Sequence, residues 1–441
     1  MARGSSEPER RSGFGSRVEA ARAAGRLVVQ PRMGFEDPAT MRRGLTAVRD
    51  APATTVGTIT VDSYTRIGDH EAARRALRNG SRLNGYPITA HARDVTRELV
   101  HGLADQDFPV QVRHGSSDPE PIIAAMLAAG LDATEGGPVS YCLPYGRTPL
   151  RDSVDRWARA CETLAGLQDS GRHPHVETFG GCMLGQLCPP GLLVALSVLE
   201  ALFFVQRGLR DVSLSYAQQI DPEQDREAVA ALDRLAARLL PTARWHIVVY
   251  AYMGVYPRTR TGALRLLRDA AELAAGSAAD RLIVKTVAEA HRIPTIEENV
   301  EALVVAHDAA ARSPAFPPVT GDTETYREAL ALVEAVLELH ADMGTALRRA
   351  FANGYLDVPY CLHPDNRGGT TSRISGGRLR WADTGAMPIR VPPAERSGAG
   401  APGSDELLDA LSQMERKYDA PAASPAAGGP TSGSPTLGGS S

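Results

Sequence analysis

From Leu27 to about Arg312 the chain alternates short apolar runs with amphipathic helical stretches, and this alternation restricts its fold more than any other feature. Candidate strands fall at 27–31, 55–62, 86–90, 108–112, 131–135, 175–179, 211–216, 245–251 and 281–285. Between them lie helical patterns such as HEAARRALRNG, DPEPIIAAMLAAG, GLLVALSVLEALFFVQRG, EQDREAVAALDRLAARLL and TGALRLLRDAAELAAG. Repeated strand–helix units imply parallel crossovers. Val/Ile-rich runs are the mark of parallel strands buried on both faces. The predicted fold class is therefore α/β, a TIM-type (β/α)8 barrel. A closed barrel uses eight strands, so one of the nine candidates stands outside it. The weakest is 86–90, although periodicity alone does not choose.

Composition shifts set the expected organisation. Residues 1–15, polar and rich in Gly, Ser and Arg, read as a disordered N-terminus, and 16–312 as the barrel and catalytic domain. Residues 313–393 read as a C-terminal extension, first helical (TETYREALALVEAVLELHADMGTALRRAFANG), then irregular. Residues 394–441 read as a low-complexity tail interrupted by one short helix, DELLDALSQMERKYD.

Three of the apolar runs close on an arginine: LVVQPR at Arg32, VGTITVDSYTR at Arg66 and FPVQVRHG at Arg113. One such residue is an ordinary surface ion-pair partner. Three at the same place in successive β–α units converge on the strand C-terminal ends, where barrels of this kind hold their active sites. Guanidinium stays charged and forks onto carboxylates, so the cup suits a small dianion. The stretch EGGPVSYCLPYGR adds Glu135, Tyr141 and Tyr145 on a loop shaped by Pro144. A carboxylate with two phenols beside the cup suits an ammonium acceptor. Lys285, at the end of the last strand run, and Glu289 stand one helical turn apart, the spacing of a solvated ion pair or of a site at the barrel mouth.

Other classes lose support. A net charge of −4 points to no nucleic-acid or anionic-membrane partner. No apolar run approaches the ~18 residues of a spanning helix, and the N-terminus MARGSSEPERRSGFGSR lacks the core of a secretory signal. Five cysteines at no framework spacing make a reducing cytoplasm the expected setting. Cys182 and Cys188 match no zinc spacing and read as packing thiols. His173, His175 and Glu177 alternate along a strand, which by itself makes no metal site. No Walker loop, G-x-G-x-x-G or H-E-x-x-H pattern occurs.

Taken in order, QPRMG (30–34), TVDSYTR (60–66), LNGYP (83–87), VRHGSSD (112–118), EGGPVSY-x-x-PY (135–145), VETFGG (176–181), CPP (188–190), VKT-x-x-EA-x-x-IPT (284–295) and GYLDVPY (354–360) resemble the large subunit, or epsilon chain, of glutamate mutase, also called methylaspartate mutase. The resemblance runs from about residue 27 to about 392. It implies a barrel that receives adenosylcobalamin from a separate small cobalamin-binding subunit, in a heterotetramer of two large and two small subunits. It also implies interconversion of L-glutamate and (2S,3S)-3-methylaspartate by radical rearrangement. Arg32, Arg66 and Arg113 would be the claw on both substrate carboxylates, with His114 beside it, and Glu135, Tyr141 and Tyr145 would bind the amino and carboxylate groups. Gly34, Pro144, Tyr256, Lys285, Glu289 and Ile293 would face the cofactor. The chain lacks the Asp-x-His-x-x-Gly motif of the lower cobalt ligand, which the partner is expected to supply.

Departures from the family pattern fall mainly on the cofactor and packing side. Ala90 stands where the family has Asn, and Ala288 where it has His. YAYMGVYP (250–257) replaces a His-Gln-Trp-Met-Gly-Gly-Phe-Pro block, and SYAQQ (215–219) a Gly-Tyr-Gly-Gln block. Two other readings remain open at this level: a non-catalytic amino-acid-binding barrel, and a cobalamin-independent lyase or isomerase acting on an amino dicarboxylate.

Overall fold

Eight short parallel strands wrap around a common axis: β1 (Val28–Gln30), β2 (Gly57–Thr60), β3 (Val110–Arg113), β4 (Ala133–Gly136), β5 (His175–Thr178), β6 (Asp211–Ala217), β7 (Arg244–Tyr250) and β8 (Arg281–Ile283). The computed structural model describes residues 13–144, 146–183, 187–389 and 404–421. The strands pair in the order β1-β8-β7-β6-β5-β4-β3-β2. The seam between β1 and β2 is closed by Val29, which bridges Thr55 and donates its N–H to Thr54 O at 2.9 Å. The fold is the expected TIM-type barrel. The surplus candidate, 86–90, contributes only a single bridge from Tyr86 to Val61. Its aromatic and β-branched residues serve packing, since Tyr86 and Ile88 are buried and the Tyr86 hydroxyl reaches Thr96 Oγ1 at 2.8 Å.

The two faces of the strands are used differently. Val29, Ile59, Val112, Val176, Val212 and Leu214 join the main apolar core between sheet and helices. The inner face is polar. Gln30 donates to Thr58 and Gln111, both at 2.8 Å, and Gln111 reaches Glu177 at 3.3 Å. Arg281 is fully buried, forms an ion pair with Glu177, and bonds Gln30, Ser213 and His246. Unlike the branched aliphatic layers usual in this architecture, the interior is one hydrogen-bonded plug, in which each polar group needs its partners.

A helix over Phe14–Ala23 closes the barrel's N-terminal end. Its first residues fall in the stretch expected to be disordered, but Phe14 is buried, stacking on His175 at 4.9 Å beneath the Arg281 guanidinium. Residues 1–12 lie outside the described residues.

Helix ends follow local chemistry. Asp37, ahead of Pro38, accepts from Thr40 N at 2.7 Å, and Thr295 and Glu298 form a reciprocal capping box. The helix Pro190–Gln206 is apolar on nearly all sides because the helices Pro222–Leu239, Glu324–Leu339 and Met343–Asn353 cover the flank turned away from the sheet. No described helix is long and apolar enough to cross a membrane. The irregular stretch forms an antiparallel hairpin, β9 (Thr371–Ser375) and β10 (Arg378–Asp383).

The tail helix, Ser404–Asp419, docks beside the barrel mouth. Its Met414 and Tyr418 join Tyr252, Tyr256 and Leu266 in a small cluster. The Asp419 carboxylate accepts from Arg258 N and Thr259 N at 2.8 and 3.0 Å, fastening the β7 loop.

Candidate active site

The polar residues singled out by the sequence gather at the C-terminal ends of the strands. Arg32 follows β1 and Arg113 ends β3. Arg66 ends a single helical turn, Ser63–Arg66, which Asp62 caps by accepting from Tyr64 N and Thr65 N at 2.9 and 3.1 Å. A cavity of about 220 Å³ is lined by Arg32, Gly34, Thr60, Arg66, Glu289 and Ile293. A larger one, about 370 Å³, opens at the opposite end of the barrel around Arg22, Arg26 and Asp280, away from this cluster. Gly34 is required by packing, because a Cβ there would sit 2.1 Å from Thr60 O. Gly115, at φ +72°, lets the β3 loop turn against the Arg66 side chain.

Beside the cavity lies a buried ionic cluster. Arg113 Nε bonds Glu135 Oε2 at 2.5 Å and Arg113 Nη2 donates to Tyr250 Oη at 3.1 Å. The Tyr141 hydroxyl donates to Glu135 Oε1. Tyr250 Oη lies within bonding distance of two carboxylates, Glu135 at 2.9 Å and Glu177, and its one proton serves one of them at a time. Burial holds the Tyr250 phenol protonated, well above its ordinary range.

His114 is buried between the Trp157 ring, stacked at 5.7 Å, and the edge of Tyr141, at 5.2 Å. Its Nδ1 accepts from Ser116 N at 3.1 Å, which assigns the ring hydrogen to Nε2. Burial, then the charges of Arg66 and Arg113, push its pKa down to about 3, so the ring is a neutral donor at physiological pH. Several buried side-chain donors lack an acceptor among the described residues, and His114 Nε2 and Arg66 Nε of this cluster are among them. Orphaned buried donors need an acceptor, and beside a permanent cation an anionic one is favoured.

On the other rim Glu289 Oε1 takes Lys285 Nζ at 3.2 Å and Arg32 Nη1 at 3.1 Å. Burial pushes the Lys285 ammonium below its usual range. Although burial disfavours the charge on Glu289, Lys285 and Arg32 hold its carboxyl below the usual value. Lys285 stands 5.1 Å above the Tyr256 ring. Ile293 is half exposed and Pro144 half buried. Tyr145 lies outside the described residues.

The structure thus brings Arg32, Arg66, Gly34, Glu289 and Ile293 around one cavity and sets Arg113, His114, Glu135 and Tyr141 beside it. Lys285 and Tyr256 stand behind Glu289, and Pro144 lies on the turn that carries Tyr141 without lining the cavity. The cup differs from three free cations, because Arg32 and Arg113 are already paired with Glu289 and Glu135. Burying guanidiniums without counter-charge is costly, so the site carries its own carboxylates. Sequence reasoning missed Tyr250, whose position ending the β7 run was the available signal, and the Glu177–Arg281 pair below it.

The chain matches the methylaspartate mutase E chain family over residues 8–396. It is 31% identical over 350 residues to the glutamate mutase epsilon subunit of Yersinia enterocolitica, covering 75% of this chain and 72% of that one. With the Halobacterium salinarum epsilon subunit it shares 32% identity over 345 residues, covering 75% and 71%. With that of Desulfitobacterium hafniense it shares 29% over 432 residues, covering 92% and 87%.

Proposed function

The chain belongs to the methylaspartate mutase E chain family and is an isomerase, and on that premise we propose that it is the substrate-binding subunit of an adenosylcobalamin-dependent mutase interconverting L-glutamate and (2S,3S)-3-methylaspartate. The observation that carries this reading is the pair of orphaned donors, Arg66 Nε and His114 Nε2, beside a cavity that two arginines line. A dicarboxylate supplies the acceptors they lack.

In this reading the three guanidiniums fix both carboxylates, and Arg32 leaves Glu289 to do so. Glu135, oriented by Arg113, Tyr141 and Tyr250, accepts the substrate ammonium; Tyr145 is assigned here by resemblance. The rim fits the adenosyl group by its chemistry: Lys285 and Glu289 offer a donor and an acceptor for hydroxyls and ring nitrogens, and Ile293 offers exposed apolar surface. Gly34, Pro144, Tyr256, Lys285, Glu289 and Ile293 would hold it. When bound, adenosylcobalamin supplies the organic radical that takes a hydrogen atom from the substrate. The protein's own part is to fix the substrate carbon skeleton, keep the ammonium in place and exclude water. A small cobalamin-binding subunit, in a heterotetramer, would bring the cobalamin to this chain. Five free, buried cysteines support a reducing cytoplasmic setting.

Calorimetry on the full chain tests the binding part. L-Glutamate is expected to bind, with L-glutamine and 2-oxoglutarate ~10–100-fold weaker, since each loses a charge-assisted contact worth ~1.5–3 kcal/mol. Equal binding of 2-oxoglutarate would remove Glu135 as the ammonium acceptor.

A further inference from the structure

The helix Pro190–Gln206 carries one carboxylate, Glu200, in a length whose other polar side chains are Ser197 and the terminal Gln206, and it is fully buried. That side chain reaches the turns following β4 and β5. Its Oε1 accepts from Val139 N at 3.2 Å and Ser140 N at 2.9 Å. Its Oε2 accepts from Ser140 Oγ at 3.0 Å, Phe179 N at 3.3 Å and Gly180 N at 2.8 Å. The approach is so close that a Cβ on Gly137 would fall 2.0 Å from Oε1. The first turn carries Tyr141, which closes on Glu135, and the second carries Phe179. The Phe179 ring lies 5.0 Å from that of Tyr141 and 5.6 Å from that of Tyr250. The two turns that wall Glu135 are therefore fastened to each other through one side chain.

We propose that Glu200 is a positioning residue whose carboxylate ties the β4 and β5 turns together, so that Tyr141 and Phe179 hold Glu135 in place for the substrate's ammonium group. Its consequence for substrate binding rests on the functional reading above; the tie itself does not.

The tie is sensitive to pH. Despite five donors, burial pushes the Glu200 carboxyl up to about 7. No ion pair reaches it among the described residues, and the charged groups on the elements around it are engaged elsewhere. Arg207 pairs with Asp342 and Glu162, Glu135 with Arg113, and Glu177 with Arg281. Asp225 holds the Tyr216 hydroxyl, Glu328 takes Trp381 Nε1, and burial keeps the Cys182 thiol protonated. Above pH 7 the carboxylate accepts from all five donors. Below it, the acid hydroxyl must itself donate, and only Ser140 Oγ among these partners is able to accept. Phe179 N and Gly180 N are then left with the hydroxyl oxygen, a weaker acceptor, and the β5 turn loosens. Fold stability runs the other way. The folded-state pKa lies above the ordinary glutamate value, so this group's contribution to stability is complete below about 4.5 and is lost as pH rises through about 7. Opposite trends separate a positioning role from a merely structural one.

Hydrogen exchange on the full chain, normalised for intrinsic rates, follows peptides spanning 137–141 and 178–181 from pH 5.5 to 8.5. L-Glutamate affinity is measured across the same range. In the wild-type chain, protection of the 178–181 amides is expected to rise ~tenfold through pH 7, with glutamate affinity rising in parallel. Glu200→Gln, a mimic of the protonated acid, should show low protection without the transition and bind glutamate ~tenfold more weakly at pH 8. Glu200→Asp keeps the charge but shortens the reach by one methylene, so protection of the 178–181 amides should fall at pH 8. Asp225, also pushed up to about 7 by burial, is intact in both variants. A transition that survives Glu200→Gln therefore belongs elsewhere and overturns the proposal. If Glu200→Gln fails to fold, unchanged protection of the 178–181 amides at pH 8 in Glu200→Asp overturns it instead. A wild-type chain that shows the exchange transition but binds no glutamate would count against the substrate reading and leave the tie standing.

Discussion

Arg113→Lys is expected to lower kcat/KM for L-glutamate by ~100-fold or more in the reconstituted holoenzyme, with the circular dichroism spectrum unchanged. The Arg113 guanidinium is committed in two directions, Nε to Glu135 and Nη2 to Tyr250. A lysine ammonium is a point charge on a flexible stem and reproduces neither the fork nor its plane. Charge is kept while Glu135 and a substrate carboxylate are both held loosely. Radical rearrangement tolerates such looseness poorly, because the migrating carbon must stay close to the group that abstracts hydrogen. The matched control is Arg75→Lys, at an exposed helix position outside the cavity lining, which should be nearly silent. An Arg113→Lys enzyme within about threefold of wild type, ~0.7 kcal/mol, would contradict the carboxylate grip.

The second large effect concerns stability. Arg281→Met should lower the unfolding free energy by ~3–5 kcal/mol at pH 8, because it strands the Glu177 carboxylate in the barrel interior. Both side chains are fully buried, and Arg281 also serves Gln30, Ser213 and His246. Burial works to raise the Glu177 carboxyl, and Arg281, then Arg113, outweigh it, so the wild-type value is depressed. The stability this confers is present above the unfolded value and is lost as pH falls through the folded one. In Arg281→Met the sign reverses. Desolvation lifts Glu177 above its unfolded value, so the variant loses stability as pH rises, and its deficit should shrink on acidification. Adding Glu177→Gln should restore much of the loss by removing the uncompensated charge. Chemical denaturation at pH 5 and pH 8 checks all three statements. A deficit independent of pH and unrelieved by the second substitution would show that lost packing, not the stranded carboxylate, is responsible.

The barrel and the arginine positions were legible because both depend on local pattern. Strand–helix alternation is written in the chain, and an arginine closing a strand run lands at the same end of a parallel barrel whatever the register. The interior was not legible. Tyr250 closes a run, RWHIVVY, that reads as core, and only the pairing of β7 with its neighbours turns its hydroxyl toward Glu135 and Glu177. Gln30, Gln111 and Arg281 likewise meet through inter-strand register, which sequence periodicity does not encode. Phe14 was hidden by its Gly, Ser and Arg neighbours, although one aromatic in such a stretch was the available cue. Glu200 also had a cue: a single carboxylate within SVLEALFF, on a helix apolar all round, is costly unless donors surround it. Pairing within the cup was the remaining surprise. The four-residue spacing pairs Glu289 with Lys285 as on a helix, but residues 284–290 form a non-helical turn, and the bond from Glu289 to Arg32 joins two strand ends distant in the chain.

The most direct test of the account is turnover in a reconstituted mixture. The purified full chain is assayed for interconversion of L-glutamate and 3-methylaspartate alone, with adenosylcobalamin, and with adenosylcobalamin plus a small cobalamin-binding subunit taken from a glutamate mutase. Product formation and the organic radical signal are followed together. The account predicts no turnover from the chain alone and turnover with a radical signal only in the complete mixture. Full turnover by the chain without any cobalamin would contradict it.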